Sequence, residues 1–278
     1  GNNTSCTYNF TLSGSNATIT GFTNPNGHIN VEDLVIPSSV TDVTDVTKFG
    51  TVTVIGVDAF WFAANILGNL TIPNSVTSIE QQAFKQIVGL TGTLTLSNTL
   101  ETIGWGAFYD TPFTGALTIP ASLTSIGVQA FEATNFSSLL FLDRSLPLVI
   151  PLECFENNSS LVTVTLVENI TEIKDLAFGS TNFTEIFIPD SLTSIEYAFP
   201  TSLTTAYMKS TNTLIDPSTG NTYASAIPST IDDFFGSTGV SILLYETIYT
   251  VVSVADYTFS DASNITVIAI DDSVTDIG

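Results

Sequence analysis

Two apolar rhythms alternate through this sequence. A short stretch such as Leu70-Thr71-Ile72 carries apolar residues at every second position. It is followed by Pro or Ser, a polar turn, a second apolar pair such as Val76 and Ile79, and an Ala-Phe dipeptide. Period two puts Leu70 and Ile72 on one face of a strand and turns Thr71 to the other. Pro73, Pro120 and Pro189 end their strands, because proline has no amide hydrogen for the next rung. Val76, Leu100, Leu123, Ile170 and Leu192 are each followed three residues later by Ile, which predicts a return segment that re-enters the core. In the Ala-Phe pair the small residue lets backbones approach and the ring fills the widest gap. Phe60, Phe84, Phe108, Phe131, Phe155, Phe178 and Phe199 are therefore predicted to stack as an internal ladder.

The unit recurs. Residues 70–84 (LTIPNSVTSIEQQAF) are echoed at 94–108 (LTLSNTLETIGWGAF), 117–131 (LTIPASLTSIGVQAF), 164–178 (VTLVENITEIKDLAF) and, one residue shorter, 186–199 (IFIPDSLTSIEYAF); a looser copy spans 140–155. Aligning the second inward residue of each strand gives Ile72, Leu96, Ile119, Leu142, Leu166 and Ile188, at steps of 24, 23, 23, 24 and 22 residues. That period falls in the range of leucine-rich repeats, one strand-bearing coil per repeat. The fold expected is a mainly β solenoid of coils of about 23 residues. Residues 1–30 read as an N-terminal cap hairpin turning at Ser13-Gly14-Ser15, and 31–200 as the array, with an insertion through 44–50. Residues 201–226 read as an irregular island. Residues 227–278 read as a second repeat segment whose final IDDSVTDI stops before any Ala-Phe. Two explanations of that last copy stay open: the protein continues further, or another subunit completes the exposed strand edge.

The pattern Ile-Pro-x-Ser-Val/Leu-Thr-Ser-Ile-x-x-x-Ala-Phe resembles the BspA-like, or Treponema-type, leucine-rich repeat. Residues 8–22 (YNFTLSGSNATITGF) are similar to the hairpin that often leads into such arrays. The resemblance covers roughly 8–199 and 227–277. It departs from the family where a Cys often follows Ala-Phe, a place taken here by Ala, Ile, Thr or Asn. It implies a surface protein, often an adhesin that binds host or matrix proteins.

Composition narrows the choice of partner. The chain has 278 residues, 27 acidic against 5 basic, for a net charge of −22. A nucleic-acid binder needs clustered Lys and Arg to displace counterions from phosphate, so that class is excluded, and adsorption to anionic lipid is disfavoured. Mean hydropathy is +0.36, yet the longest apolar run, 139–152, is broken by Asp143, Arg144, Pro147 and Pro151. It falls short of the roughly 20 residues a membrane span needs. The opening Gly1-Asn2-Asn3-Thr4 reads as a mature exported product or as an artificial boundary. Cys6 and Cys154 are the only cysteines. They are predicted to lie several coils apart and not to bond, with Cys154 a buried stand-in for Ala and Cys6 free or paired between molecules.

Catalytic chemistry finds little support. The single histidine, His28, sits in a turn without a nucleophile motif, and neither a phosphate-binding loop nor a Cys/His ligand pattern is present. No cofactor or metal is expected; Asp232-Asp233 and Asp271-Asp272 are weak calcium candidates at most. The outward row of the strands carries Thr71, Thr95, Thr118, Phe141, Thr165, Phe187 and, in the last copy, Ala269. Phe141 and Phe187, with Thr165 between them, would make an exposed sheet-face patch for a protein or glycan ligand, unless a loop such as the island covers it. Asn-x-Ser/Thr sequons occur at Asn2, Asn3, Asn9, Asn16, Asn69, Asn135, Asn157, Asn158, Asn169, Asn182 and Asn264. Asn69, Asn135, Asn158 and Asn182 are expected in one inter-repeat turn, as a glycan-bearing flank would require. The function expected is non-catalytic, extracellular protein recognition or adhesion. The alternative is a subunit of a glycosylated extracellular filament or layer, in which copies of the chain stack end to end.

Overall fold

The computed structural model describes residues 7–23, 31–63 and 65–209, together with three strands at 214–215, 222–223 and 241–245. Cys6, His28, the sequons Asn2, Asn3 and Asn264, the two Asp pairs, Ala269 and the unfinished last repeat lie outside the described residues, as does most of 227–278. The described residues contain no helix; their strands are numbered β1 to β21 in chain order.

Each coil crosses three sides of a solenoid. On the front lie β3 (Val31–Val35), β6 (Ile66–Thr71), β8 (Leu94–Thr95), β10 (Ala116–Ile119), β12 (Ser138–Phe141), β14 (Thr163–Thr165), β16 (Glu185–Ile188), β18 (Thr205–Lys209) and β21 (Ser241–Tyr245), in three consecutive parallel ladders. The return side carries β5 (Phe49–Ile55), β7 (Ser78–Ile79), β9 (Thr102–Ile103) and β11 (Ser125–Ile126). It continues with β13 (Leu148–Ile150), β15 (Ile170–Ile173), β17 (Ser194–Ile195) and β19 (Leu214–Ile215), which pairs antiparallel with β20 (Thr222–Tyr223). The Ala-Phe turn makes the third side, and it too is a ladder. Each phenylalanine N–H donates to the carbonyl of the residue before the next phenylalanine: Phe84 to Ala107 at 2.7 Å, Phe108 to Ala130 at 2.9 Å, Phe131 to Cys154 at 2.9 Å, Phe155 to Ala177 at 2.8 Å. All three sides therefore satisfy their backbone groups by pairing coil to coil.

The rings follow the backbone. Phe60, Phe84, Phe108, Phe131, Phe155, Phe178 and Phe199 are buried and form one column, with centroids 4.8–6.0 Å apart and planes within 14° of parallel. Offset stacking at this spacing adds about 0.5–1.5 kcal/mol per pair beyond simple burial. A second set of rings was not foreseen. Phe113, Phe136 and Phe183, each five residues after a ladder phenylalanine, are buried and stand edge-on to the column at 71–85°.

The N-terminal end of the column is closed. β1 (Thr7–Ser13) and β2 (Asn16–Thr23) form an antiparallel hairpin turning at Gly14, which takes φ +62°. β2 continues the return sheet in parallel with β5. Phe22 lies 5.4 Å from Phe60, and Tyr8 meets both rings at 5.7 and 6.3 Å. The insertion in the first coil is itself a hairpin: β4 (Ser39–Thr41) pairs antiparallel with β5. Its turn is held by Asp42, whose Oδ1 accepts from Thr44 N and Oγ1, and by Asp45, whose Oδ1 accepts from Thr47.

The start of the stretch expected to be irregular belongs to the solenoid. β18 pairs in register with β16, placing Met208 opposite Ile188, and Ala206 and Met208 join the core. The alternation of Ala206, Tyr207 and Met208 carries the strand even though Ala-Phe is absent.

Two left-handed residues per coil flank Ala-Phe, and most are not glycine. Gln82, Gln129, Glu153 and Leu176 precede it, and Gln86, Asp110, Ala133, Asn157 and Ser180 follow it, with φ between +52° and +60°. This conformation costs a non-glycine residue on the order of 1–2 kcal/mol, and the turn-side ladder offsets it. Ala133→Gly should therefore leave stability unchanged or raise it by up to about 1 kcal/mol, since glycine removes the strain but loses more freedom on folding. Phe131→Ala should cost about 3–5 kcal/mol. Urea denaturation of the two variants against the parent checks both.

Candidate interaction surface

The front strands expose one row of side chains. Parallel pairing sets Thr118, Leu140 and Thr165 side by side, and Phe187 beside Tyr207. Val35 and Thr71 begin the row one ladder earlier. Thr95, Thr118 and Thr165 are exposed and Thr71 is half-buried. Phe187 stands 41% exposed and stacks on Tyr207, centroids 4.5 Å apart and planes 14° from parallel. The Tyr207 hydroxyl donates to Glu185 Oε2 at 3.3 Å. The two rings form an apolar ledge, Phe187 exposed and Tyr207 half-buried, with a carboxylate at its edge.

Phe141 is not part of this surface. The expected register set Leu140 and Leu142 inward, but Ile119 pairs with Phe141, so Leu139 and Phe141 point into the core and Leu140 and Leu142 point out. Phe141 is 0% exposed and meets Phe155 edge-on at 6.3 Å, while Leu140 and Leu142 are each 41% exposed. The run Leu139-Leu140-Phe141-Leu142 offers two apolar alternations, and a one-residue slip reverses every side chain. The larger ring takes the wider space inside. Leu140, Leu142, Val35 and Tyr207 are the surface residues missed. Alternation was legible at Val35 and Tyr207, each between two inward residues; at Leu140 it was ambiguous. A shallow depression lined by Thr95, Leu96, Thr118, Pro120 and Leu142 adjoins the patch.

The sequons separate into two kinds. Asn158 is 1% exposed, which corrects its assignment as a glycan acceptor. Its Nδ2 donates to the carbonyls of Phe131 and Phe155, each at 2.9 Å, and its Oδ1 accepts from Thr134 Oγ1. It belongs to a buried polar row with Thr111, Thr134 and Thr181, whose hydroxyls also donate to carbonyls of ladder phenylalanines. Asn69 bridges neighbouring coils, donating to Asp33 Oδ1 at 2.7 Å and accepting from Thr93 N at 2.7 Å. Asn169 is half-buried and donates to the Arg144 carbonyl at 2.8 Å. Asn9, Asn16, Asn135, Asn157 and Asn182 have exposed side chains. Asn135 and Asn182 occupy the same turn, each just before a buried ring, Phe136 or Phe183; Asn158 lies in that turn one position earlier, equivalent to Thr134 and Thr181, and Asn69 lies elsewhere in the coil.

The buried chemistry is structural. Cys154 is fully buried and unbonded, and burial raises its thiol pKa well above the ordinary value. Arg144 is buried; its Nε donates to the Leu146 carbonyl at 3.1 Å and its Nη2 to the Leu123 carbonyl, and desolvation lowers its pKa. On the turn side, burial and then the charge of Glu156 raise the Glu132 carboxyl above the usual carboxylate range. Among the described residues no helix is long and apolar enough to cross a membrane.

Asn158→Ala should destabilise by about 1–3 kcal/mol, because it leaves the buried Phe155 carbonyl oxygen unpaired, whereas that of Phe131 keeps the Thr134 hydroxyl. Expressed in a glycosylating host, the protein should carry no sugar at Asn158, with any occupancy falling on the exposed sequons; denaturation and glycopeptide mass spectrometry read the two outcomes.

Comparison with known proteins agrees with this architecture. The sequence profile of the BspA type leucine rich repeat region matches residues 53–146 and 147–220 in six copies. No curated protein matches the sequence. Among solved structures, the chain is similar to a leucine rich cell surface protein from Faecalibacterium prausnitzii A2-165, with a TM-score of 0.57 and 24% identity over 83% of this chain and 62% of that one. The chain thus spans less than two thirds of that protein. A leucine-rich repeat protein from Bacteroides ovatus ATCC 8483 aligns over 97% of this chain and 76% of its own, at 21% identity and a TM-score of 0.42. The T. pallidum leucine rich repeat protein aligns over 62% and 86%, at 18% identity and a TM-score of 0.43. The profile match over residues 53–146 and 147–220, more than half of the sequence, makes this chain a member of the BspA-type leucine-rich-repeat family.

Proposed function

We propose that this protein is a non-catalytic recognition protein displayed outside the cell, and that it binds a protein or glycan partner through the front strand face. The observation that carries the reading is the Phe187–Tyr207 ledge, with Leu140, Leu142 and exposed Thr165 on the neighbouring coils. A stacked aromatic pair with an exposed face gives rigid apolar area at little entropic cost, the property of binding hot spots. The threonines around it supply hydroxyls that bond to peptide or sugar. The acidic surface favours a basic or neutral partner and repels nucleic acid and anionic membrane. Family membership and likeness to a bacterial leucine rich cell surface protein support surface display. Asn9, Asn16, Asn135, Asn157 and Asn182 are the described positions open to a glycan coat.

The filament alternative drew on the last repeat, which lies outside the described residues. The N-terminal end argues against open stacking there, since Tyr8 and Phe22 already cover Phe60.

Adhesion of beads coated with the purified chain to immobilised extracellular matrix proteins and to a glycan array tests the proposal. Binding to one of these surfaces should fall by at least about tenfold for Phe187→Ser combined with Tyr207→Ser, the loss of two hot-spot residues, while circular dichroism stays unchanged. Equal binding by parent and double variant would remove this face as the site.

A further inference from the structure

We propose that Glu132, Glu153 and Glu156 form a binding site for a divalent cation of the calcium type, on the turn side of the solenoid and away from the front face. Glu132 follows the ladder residue Phe131, while Glu153 and Glu156 bracket the Cys154-Phe155 pair of the next coil. One oxygen from each of the three carboxylates lies within 4.8 Å of the others. Three negative charges gathered at this distance repel one another strongly. Among the described residues the ion pairs involve Asp45, Glu172 and Glu196, none of them in this cluster.

Glu132 supplies the second observation. Its side chain is only 8% exposed, and its Oε2 is buried with no hydrogen-bond donor. Its Oε1 accepts a long hydrogen bond from Asn157 Nδ2 at 3.4 Å, and the Gln129 amide also stands beside the carboxylate. Glu153 Oε2 accepts from Gln129 Nε2 at 2.7 Å, and Gln129 Oε1 accepts from Trp105 Nε1 at 3.0 Å, which orients that carboxylate. A buried carboxylate with one oxygen lacking a donor, gathered with two further carboxylates, calls for a cation as its partner.

The donor set selects the cation. Three carboxylates and no thiol or imidazole favour a hard ion over zinc or copper. Calcium accepts oxygen ligands at about 2.3–2.6 Å in a flexible shell, whereas magnesium demands a stricter octahedron at about 2.0–2.1 Å and keeps more of its water. The three oxygens lie within 4.8 Å of one another, close enough for one hard cation to reach all of them. Because the ligands come from two coils, the bound cation clamps one repeat to the next and converts a repulsive contact into a cohesive one.

Terbium titration of the EDTA-treated full-length chain, excited at 280 nm, tests the site directly, because Trp105 and Tyr109 lie beside the cluster as sensitisers. Saturable emission displaced by calcium is expected, weakened by about tenfold or more in Glu132→Gln and in the less buried Glu156→Gln, as ligand charge sets affinity. Glu101→Gln, an exposed acid outside the cluster, should bind as the parent does. Calcium should raise the melting temperature of the parent by several degrees over sodium chloride of equal ionic strength, and Glu156→Gln should lose that increment. Equal stabilisation by the two salts, parent-like terbium binding by Glu156→Gln, or equal loss in Glu101→Gln would each overturn the assignment, because each describes diffuse screening of an acidic surface.

Discussion

The architecture depends on one contact repeated at every coil: the amide of a buried phenylalanine donating to the carbonyl just ahead of the next phenylalanine. That bond sets a rise between coils at which the rings stack with centroids 4.8–6.0 Å apart, so hydrogen bonding and ring packing are met by the same spacing. Neither could be relaxed alone. A longer rise would break the ladder and part the rings, costing both the hydrogen bonds and the stacking contacts. The alanine at each step follows from this, because a larger side chain has little room where the backbones meet; Cys154, the one exception in the buried turns, is itself a small side chain that packs as an apolar group.

Buried polar groups are arranged by the same logic. The carbonyls of the ring-bearing residues turn away from water, and Thr111, Thr134, Asn158 and Thr181 return hydrogen bonds to them from inside the turn. Asn158 shows how a motif defined by three letters can serve a wholly interior purpose. Its sequon is intact in the sequence, yet both ends of its amide are spent on neighbouring coils. Arg144 behaves likewise: one of five basic residues in a strongly acidic chain, it is buried to bind carbonyls and adds nothing to the surface charge.

Much of this was legible beforehand because the repeat is strict. The phenyl column, the hairpin over its end and the three-sided coil follow from the spacing of Ala-Phe and from residues such as Pro73 and Gly14. Legibility failed where local chemistry was degenerate. At Leu139-Leu140-Phe141-Leu142 every residue is apolar, so strand parity could be settled only by pairing with Ile119, and the candidate patch changed from Phe141 to Leu140 and Leu142. At β18 the missing Ala-Phe hid a strand that alternation alone would have shown. The left-handed positions were invisible because Gln, Glu, Leu and Ser occupy them where glycine would have signalled them. The Glu132 cluster was hidden for another reason: Glu132 and Glu156 stand 24 residues apart in sequence, and only coil stacking makes them neighbours.

The hairpin inserted in the first coil has a wider consequence. Ile36 and Ile72 occupy equivalent inward positions, yet 36 residues separate them where later coils use 22 to 25, and the surplus leaves the solenoid and returns at the same corner through β4 and its aspartate-capped turn. Because both ends of the excursion rejoin the stack within one coil, its length is decoupled from the pitch of the column. That corner is a graft point: foreign segments of varied size can be spliced between Asp42 and Lys48, whose backbones already bond to each other, while the scaffold beneath keeps its register. A family built this way can diversify its displayed loops without renegotiating its core.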